Sequence, residues 1–369
     1  VPIFDQGYQH WSGELSGHAW RWLAITRHGV RVGLKSKLLR IVLFVSWLPA
    51  LVLAGALCVW GLLEHKSSMI DPIVQFMMFV NPQVLAEPRA YRLEVWTLCF
   101  HFFLQTELRF SMILVLLVGP SLISQDLRFN ALPLYFSRPL RRIDYFLGKL
   151  GVIGFFLAMV TIVPSVVAYI LGVFFSMDFT IVPETFRLLV STVVYGLIIT
   201  LSAGLLILAL SSLSRNSRYV ALFWIGIWFV SGISASVLQG VEREHQLRSF
   251  AVHNPSFPPA SQWRDARRLR EERRVRLDSW QLQNSRTDWR PLVSYTENLS
   301  RVERALLGTD NSWRKLSELL PDDRDVNHFL VDYAGPFYPW YWSALVLLGL
   351  FGLSACTLNF PIKSLDRLR

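Results

Sequence analysis

Apolar and polar positions divide the chain into long greasy runs separated by charged segments. Five runs contain no Asp, Glu, Lys or Arg: Ile41–Leu63, Leu150–Phe175, Leu188–Ser212, Tyr219–Gln239 and Trp340–Phe360. Each reaches the roughly 20 residues that an α-helix needs to cross about 30 Å of hydrocarbon. A sixth, Phe102–Ile123, carries charge in its upstream half and is clean only over Ser111–Ser124. Buried helices of a soluble protein do not produce such a set, so the pattern predicts six transmembrane helices. Pro49 and Pro164 are the expected kink points of the first and third.

The polar segments set the organisation. Residues 1–40 are mostly polar or amphipathic, and the first apolar run is too long for the core of a cleavable signal. Within them Trp11, Trp20, Trp22 and Leu23 sit beside Arg21, Arg27, Arg31, Lys35 and Lys37. That reads as a helix lying in the membrane interface or as a plain cytoplasmic one. Residues 41–239 hold helices one to five with a loop at 124–149. Residues 240–339 form a long charged insertion between helices five and six, and 340–369 hold helix six and a tail.

Composition adds a puzzle. Hydrophobic residues make up 52% and mean hydropathy is +0.36, yet the net charge is +10. A nucleic-acid binder is rarely so apolar, and the basic stretch 267–276 is interleaved with acids, as in a solvated, salt-bridged helix. Charge by segment resolves the matter. Residues 1–40, 124–149, 213–218 and 361–369 together hold 16 basic and 5 acidic residues. The short segments 64–95 and 176–187, with Arg187 set aside, hold 3 basic and 6 acidic. The positive-inside rule therefore predicts cytoplasmic termini and an extracytoplasmic 240–339. Cys58, Cys99 and Cys356 are too scattered for a disulfide framework or a metal site.

The loop between helices two and three is distinctive. It runs Ser124-Gln-Asp-Leu-Arg-Phe-Asn-Ala-Leu-Pro-Leu-Tyr-Phe-Ser-Arg-Pro-Leu-Arg-Arg-Ile-Asp-Tyr-Phe-Leu-Gly-Lys149. Leu127, Leu132, Leu134 and Phe136 are too apolar for a free loop and need a surface to bury against. Pro139 ends any helix before it, and Asp144 suits the start of the next helix. An acidic residue after helix two, a short amphipathic helix, a Ser-Arg-Pro-Leu turn and a Leu-Gly-Lys start to helix three resemble the ABC-2 family of ABC-transporter permeases. The resemblance implies that the short helix is a coupling helix docking into a separate ATPase subunit. Its implied coupling residues are Asp126, Leu132, Leu134, Phe136, Arg138, Pro139, Arg141 and Arg142. The long insertion departs from minimal family members.

Polar residues inside the spans are the other candidates. His101, Gln105 and Arg109 share one helix face, with Glu107 on another. They either line a substrate path or vestibule, or lie in the outer headgroup zone of a span that starts late. Ser231/Ala235 and Gly232/Ser236 are small pairs suited to close helix contact. In the insertion, Leu299, Val302, Leu306, Trp313, Leu316 and Leu320 predict helices broken at Gly308 and at Asn311-Ser312 and ended by Pro321.

The expectation is an all-α integral membrane protein with six transmembrane helices, a cytoplasmic coupling helix and a helical extracytoplasmic insertion between helices five and six. Its function would be that of an ABC-2-type permease subunit, an exporter, in a bacterial cytoplasmic (inner) membrane. The chain has no G-x-x-x-x-G-K-[ST] run, no catalytic constellation and no metal-ligand set, so no cofactor is expected in it. ATP would be bound by the partner. Expected partners are that ATPase, a second permease subunit, identical or similar, and membrane lipid, with no nucleic acid. Alternatives are a non-transporting assembly or sensor component working through its insertion, and a membrane-embedded enzyme acting on lipid.

Overall fold

The structure, a computed structural model, describes residues 20–64, 87–136, 140–176, 180–253, 288–317 and 338–366. Trp11, Arg138, Pro139, the basic stretch 267–276 and Pro321 lie outside the described residues, as do the side chains of Leu134 and Phe136. Among the described residues every regular element is helical. In chain order they are α1 (Arg21–Gly33), α2 (Lys37–Val45), α3 (Trp47–Glu64), α4 (Arg92–Arg128), α5 (Leu132–Phe136), α6 (Arg142–Val160) and α7 (Ile162–Ser176). Then follow α8 (Ile181–Leu213), α9 (Ser217–Ile225), α10 (Ser231–His253), α11 (Tyr295–Leu307), α12 (Thr309–Ser317) and α13 (Trp340–Asp366).

Six segments are long and apolar enough to cross a membrane: Lys37–Glu64, Pro88–Arg128, Arg142–Ser176, Ile181–Leu213, Ser217–Glu242 and Trp340–Leu358. They match the six expected runs. Spans one and three are each two helices, broken at Ser46 and at Thr161. Each break lies three residues before a proline, Pro49 or Pro164. A proline ring collides with the carbonyl one turn earlier and removes a backbone donor, so the helix gives way upstream of the ring. Span five contains a π-helical turn at Gly226–Val230.

Span two lies within one long helix, α4, continuous from Arg92 to Arg128. At its start the Arg92 guanidinium holds the Glu64 carboxylate at the end of span one, with Nε–Oε1 2.7 Å and Nη2–Oε2 2.5 Å, and both side chains are buried. At the other end α4 packs on α8. Ser211 Oγ accepts from the N–H groups of Ile123 (3.1 Å) and Ser124 (2.9 Å) and donates to the carbonyl of Pro120 (3.0 Å). One hydroxyl thus satisfies backbone groups beside a mid-helix proline.

The N-terminal helix runs lengthwise along span three rather than crossing it at one point. A Cβ placed at Gly148 would meet Ile25 and Trp22, at Gly151 Thr26, and a Cβ at Gly29 would meet Val152. Thr26 Oγ1 donates to the Gly148 carbonyl at 3.0 Å. Small residues permit that approach, as in membrane helix pairs generally.

The described part of the insertion, residues 288–317, folds back on the spans. Arg290 Nη2 pairs with Glu242 at 2.7 Å, while the Tyr295 N–H donates to Ser231 Oγ at 3.2 Å. Ser231 and Glu242 are about 16 Å apart along their helix, so the chain descends beside span five between these two points. Ser294 then caps α11 by accepting from the Glu297 N–H. Helix α11 climbs back along α8, with Tyr295 Oη donating to Ser202 Oγ (3.1 Å) and Ser191 Oγ donating to the Leu306 carbonyl (2.9 Å). Gly308, at φ 77°, adopts the left-handed conformation that ends α11. The break expected at Asn311-Ser312 is absent, because α12 runs through both residues.

Candidate functional site

Two groups of residues stand out, one at each end of the bundle. The first surrounds α5. Asn130, at φ 50°, terminates α4 in the left-handed region, and Ala131 N–H closes the turn on the Asp126 carbonyl at 2.8 Å. Helix α5 follows at once and buries Leu132. Asp126 is the hub: Lys149 Nζ lies 2.6 Å from its Oδ2, and Tyr145 Oη donates to the same oxygen at 2.7 Å. The Lys149 ammonium also lies over the Tyr145 ring (5.4 Å) and the Tyr135 ring (5.9 Å), and the two rings are 5.3 Å apart. Burial, and then the Asp126 charge, push the Tyr135 hydroxyl above its ordinary pKa. Asp144 accepts from the Arg141 backbone N–H at 3.2 Å, which caps α6.

Of the residues named from the sequence at this end, Asp126 is at the centre of the cluster, and Leu132 lines a small gap with Tyr145. Arg141 is exposed and Arg142 half-buried beside it. Lys149 and Tyr145 complete the cluster. The motif contains both, but nothing in it marks Tyr145 as a partner of Asp126.

The second group lies where α11 meets span two. His101 Nδ1 is 2.9 Å from Glu303 Oε2 and 3.1 Å from Oε1. Gln105 Nε2 donates to Ser300 Oγ at 2.6 Å and to Glu303 Oε2 at 3.0 Å. His101 and Glu303 are 1% and 0% exposed. Both belong to the protein interior. Farther out, Lys315 Nζ pairs with Glu94 at 2.6 Å, whose hydrogen bond and charge raise the Lys315 pKa. The rings of Phe102 and Trp313 meet edge to face at 6.0 Å.

Arg109, one turn below Gln105, turns into a cavity of about 540 Å3. Its walls come from span two (Gln105, Leu108, Arg109, Met112), span five (Trp228, Phe229, Gly232, Ile233, Ser236, Val237) and α11 (Thr296, Glu297, Ser300). The face shared by His101, Gln105 and Arg109 therefore divides into a buried tie and a cavity wall. Of the small pairs in span five, Ser231 and Ala235 are used for helix contact, with Ala235 buried, while Gly232 and Ser236 face the cavity. Glu303 and Glu297 were beyond sequence reasoning, since both sit among many charges of the insertion.

Glu107 is a third kind of residue. It is 0% exposed, and neither carboxylate oxygen has a hydrogen-bond partner, nor does the buried Ser111 Oγ one turn on. Among the described residues no group of His, Cys, Asp and Glu could hold a metal ion.

Residues 99–315 match a protein-family model described as "ABC-2 family transporter protein". No curated protein matches the chain. The matched stretch takes in α5, the Asp126 cluster, the cavity and the helices α11 and α12 that fold back on the spans. It spans more than half of the chain, which therefore belongs to the ABC-2 transporter family, as a membrane-spanning permease.

Proposed function

We propose that this permease is driven by a separate ATPase subunit, works as a pair with an identical or similar permease, and exports its substrate. In this reading α5 is the coupling helix. It docks on the ATPase and passes the ATP-driven movement to the spans. What supports it is the Asp126 cluster. The carboxylate follows the membrane part of span two, and its two partners, Lys149 and Tyr145, stand on span three. A push on α5 is thereby delivered to two spans together, through charge-assisted bonds that are largely shielded from water.

The orientation follows from charge. The basic segments around α5 and the termini would lie in the cytoplasm, and the insertion outside, in a bacterial inner membrane. The cavity walled by Arg109 and Glu297 would be part of the substrate path. ATP belongs to the partner, with no cofactor in this chain. Affinity purification of the permease from its native membrane should retain an ATPase bearing a Walker A sequence. A preparation that retains none, and in which no added ABC ATPase responds to the permease, contradicts the reading.

A further inference from the structure

The cavity has a chemical character of its own. Arg109 and Glu297 stand on its walls, and the side chain of neither has an ion-pair or hydrogen-bond partner among the described residues. Neither do they pair with each other. Arg109 stands on a membrane-spanning helix, where a charge is costly and normally matched by a counter-group or open to a polar cavity; Glu297 stands on α11. Here two unmatched charges of opposite sign share one space. Both side chains are exposed and so reachable by a ligand. Phe229, Ile233 and Val237 supply an apolar wall. Trp228 and Phe229 belong to the π-helical turn of span five, a distortion found often at functional sites.

Each simple ligand class leaves something unsatisfied. A purely anionic ligand would suit Arg109 and be repelled by Glu297. A cation would do the reverse. A neutral apolar molecule would take both charges out of solvent without giving them partners, which is unfavourable. We propose that the cavity binds a zwitterionic amphiphile. A phosphate group would take the Arg109 guanidinium, an ammonium group would take Glu297, and an acyl chain would lie along Phe229, Ile233 and Val237. A guanidinium is well matched to phosphate oxygens, and a volume of about 540 Å3 accommodates a headgroup with part of a chain. This inference deepens the reading of the cavity as a substrate path and rests on it.

The test is a native mass spectrometry titration of the full-length permease in maltoside detergent. Three single-chain lipids are compared: a lysophosphatidylethanolamine, a lysophosphatidylglycerol and a monoacylglycerol. The wild type should bind the zwitterionic lipid most tightly. Arg109→Gln should weaken that binding about tenfold, the loss expected for one charge-assisted contact. Glu297→Gln should remove the preference over the anionic lipid. Neither side chain has a structural partner, so both variants should keep the wild-type fold. Equal binding of the monoacylglycerol, or unchanged affinities in both variants, overturns the proposal. Because no ATPase takes part, this outcome is separate from failure of the transport reading, which shows as the absence of a responding ATPase.

Discussion

His101 Nδ1 lies 2.9 Å from Glu303 Oε2, across 202 residues of sequence and in full burial. The contact joins the N-terminal half of span two to α11. With Gln105 sharing the same carboxylate, it explains how a membrane-spanning helix carries so many polar residues ahead of its clean apolar run. Their partners come from within the chain. It also shows why α11 cannot float as part of a detached domain: lifting it would strand a carboxylate, an imidazole and an amide without partners.

Replacing Glu303 by Ala should therefore be severe. Removing one member of a buried pair costs about 3–5 kcal/mol, because the remaining group stays buried and unmatched. The thermal midpoint of the purified permease should fall well below wild type. A double His101→Leu, Glu303→Leu variant should regain much of the loss, since apolar replacement of both partners removes the unmatched group. A single variant as stable as wild type would mean that α11 is not held this way.

Glu107 predicts the opposite sign. Its carboxylate is buried without a hydrogen-bond partner, and an unsatisfied buried polar group costs about 1–3 kcal/mol. Glu107→Leu should raise the thermal midpoint. A fall would show that the carboxylate is matched in the working assembly.

The seating of α1 on span three is testable by crosslinking. A Cβ at Gly151 would stand 3.4 Å from the Thr26 Cβ, close to the separation found in disulfides. Thr26→Cys with Gly151→Cys should therefore form a disulfide under mild oxidation. Adding Gly148→Leu should suppress it, because a Cβ there already stands 2.7 Å from the Ile25 Cβ and 3.0 Å from the Trp22 carbonyl. Efficient crosslinking in the triple variant would contradict that close seating.

Much of this architecture is legible in the sequence because apolar length is a strong signal. The runs Ile41–Leu63 and Leu188–Ser212 are long enough to need no tertiary information. Pro49 and Pro164 mark the broken spans, although the breaks lie a turn upstream of each ring. The Ser-Arg-Pro-Leu loop and Asp126 point to the α5 end. The opposite end of the bundle is harder. Helix α11 has ordinary amphipathic spacing, and nothing local says that Tyr295 reaches Ser202 or that Glu303 answers His101. Such pairings depend on chain segments far apart in sequence. The polar residues of span two, read alone, give no sign of Glu303 or Ser300, because those partners are invisible from within that helix.

Topology can be read directly in whole cells. A cysteine introduced by Ser279→Cys should react with a membrane-impermeant maleimide from outside. One introduced by Ser364→Cys should react only after permeabilisation. The three native cysteines would first be replaced, since Cys356 is exposed. The reversed labelling pattern would invert the orientation that the charge distribution predicts.

The most direct test of the central claim is the ATPase rate of the purified permease–ATPase complex after Leu134→Asp and Arg138→Glu are introduced together into the α5 segment. The account predicts that the permease-dependent part of the rate collapses while the permease keeps its thermal midpoint. A rate equal to wild type in that variant would contradict coupling through α5.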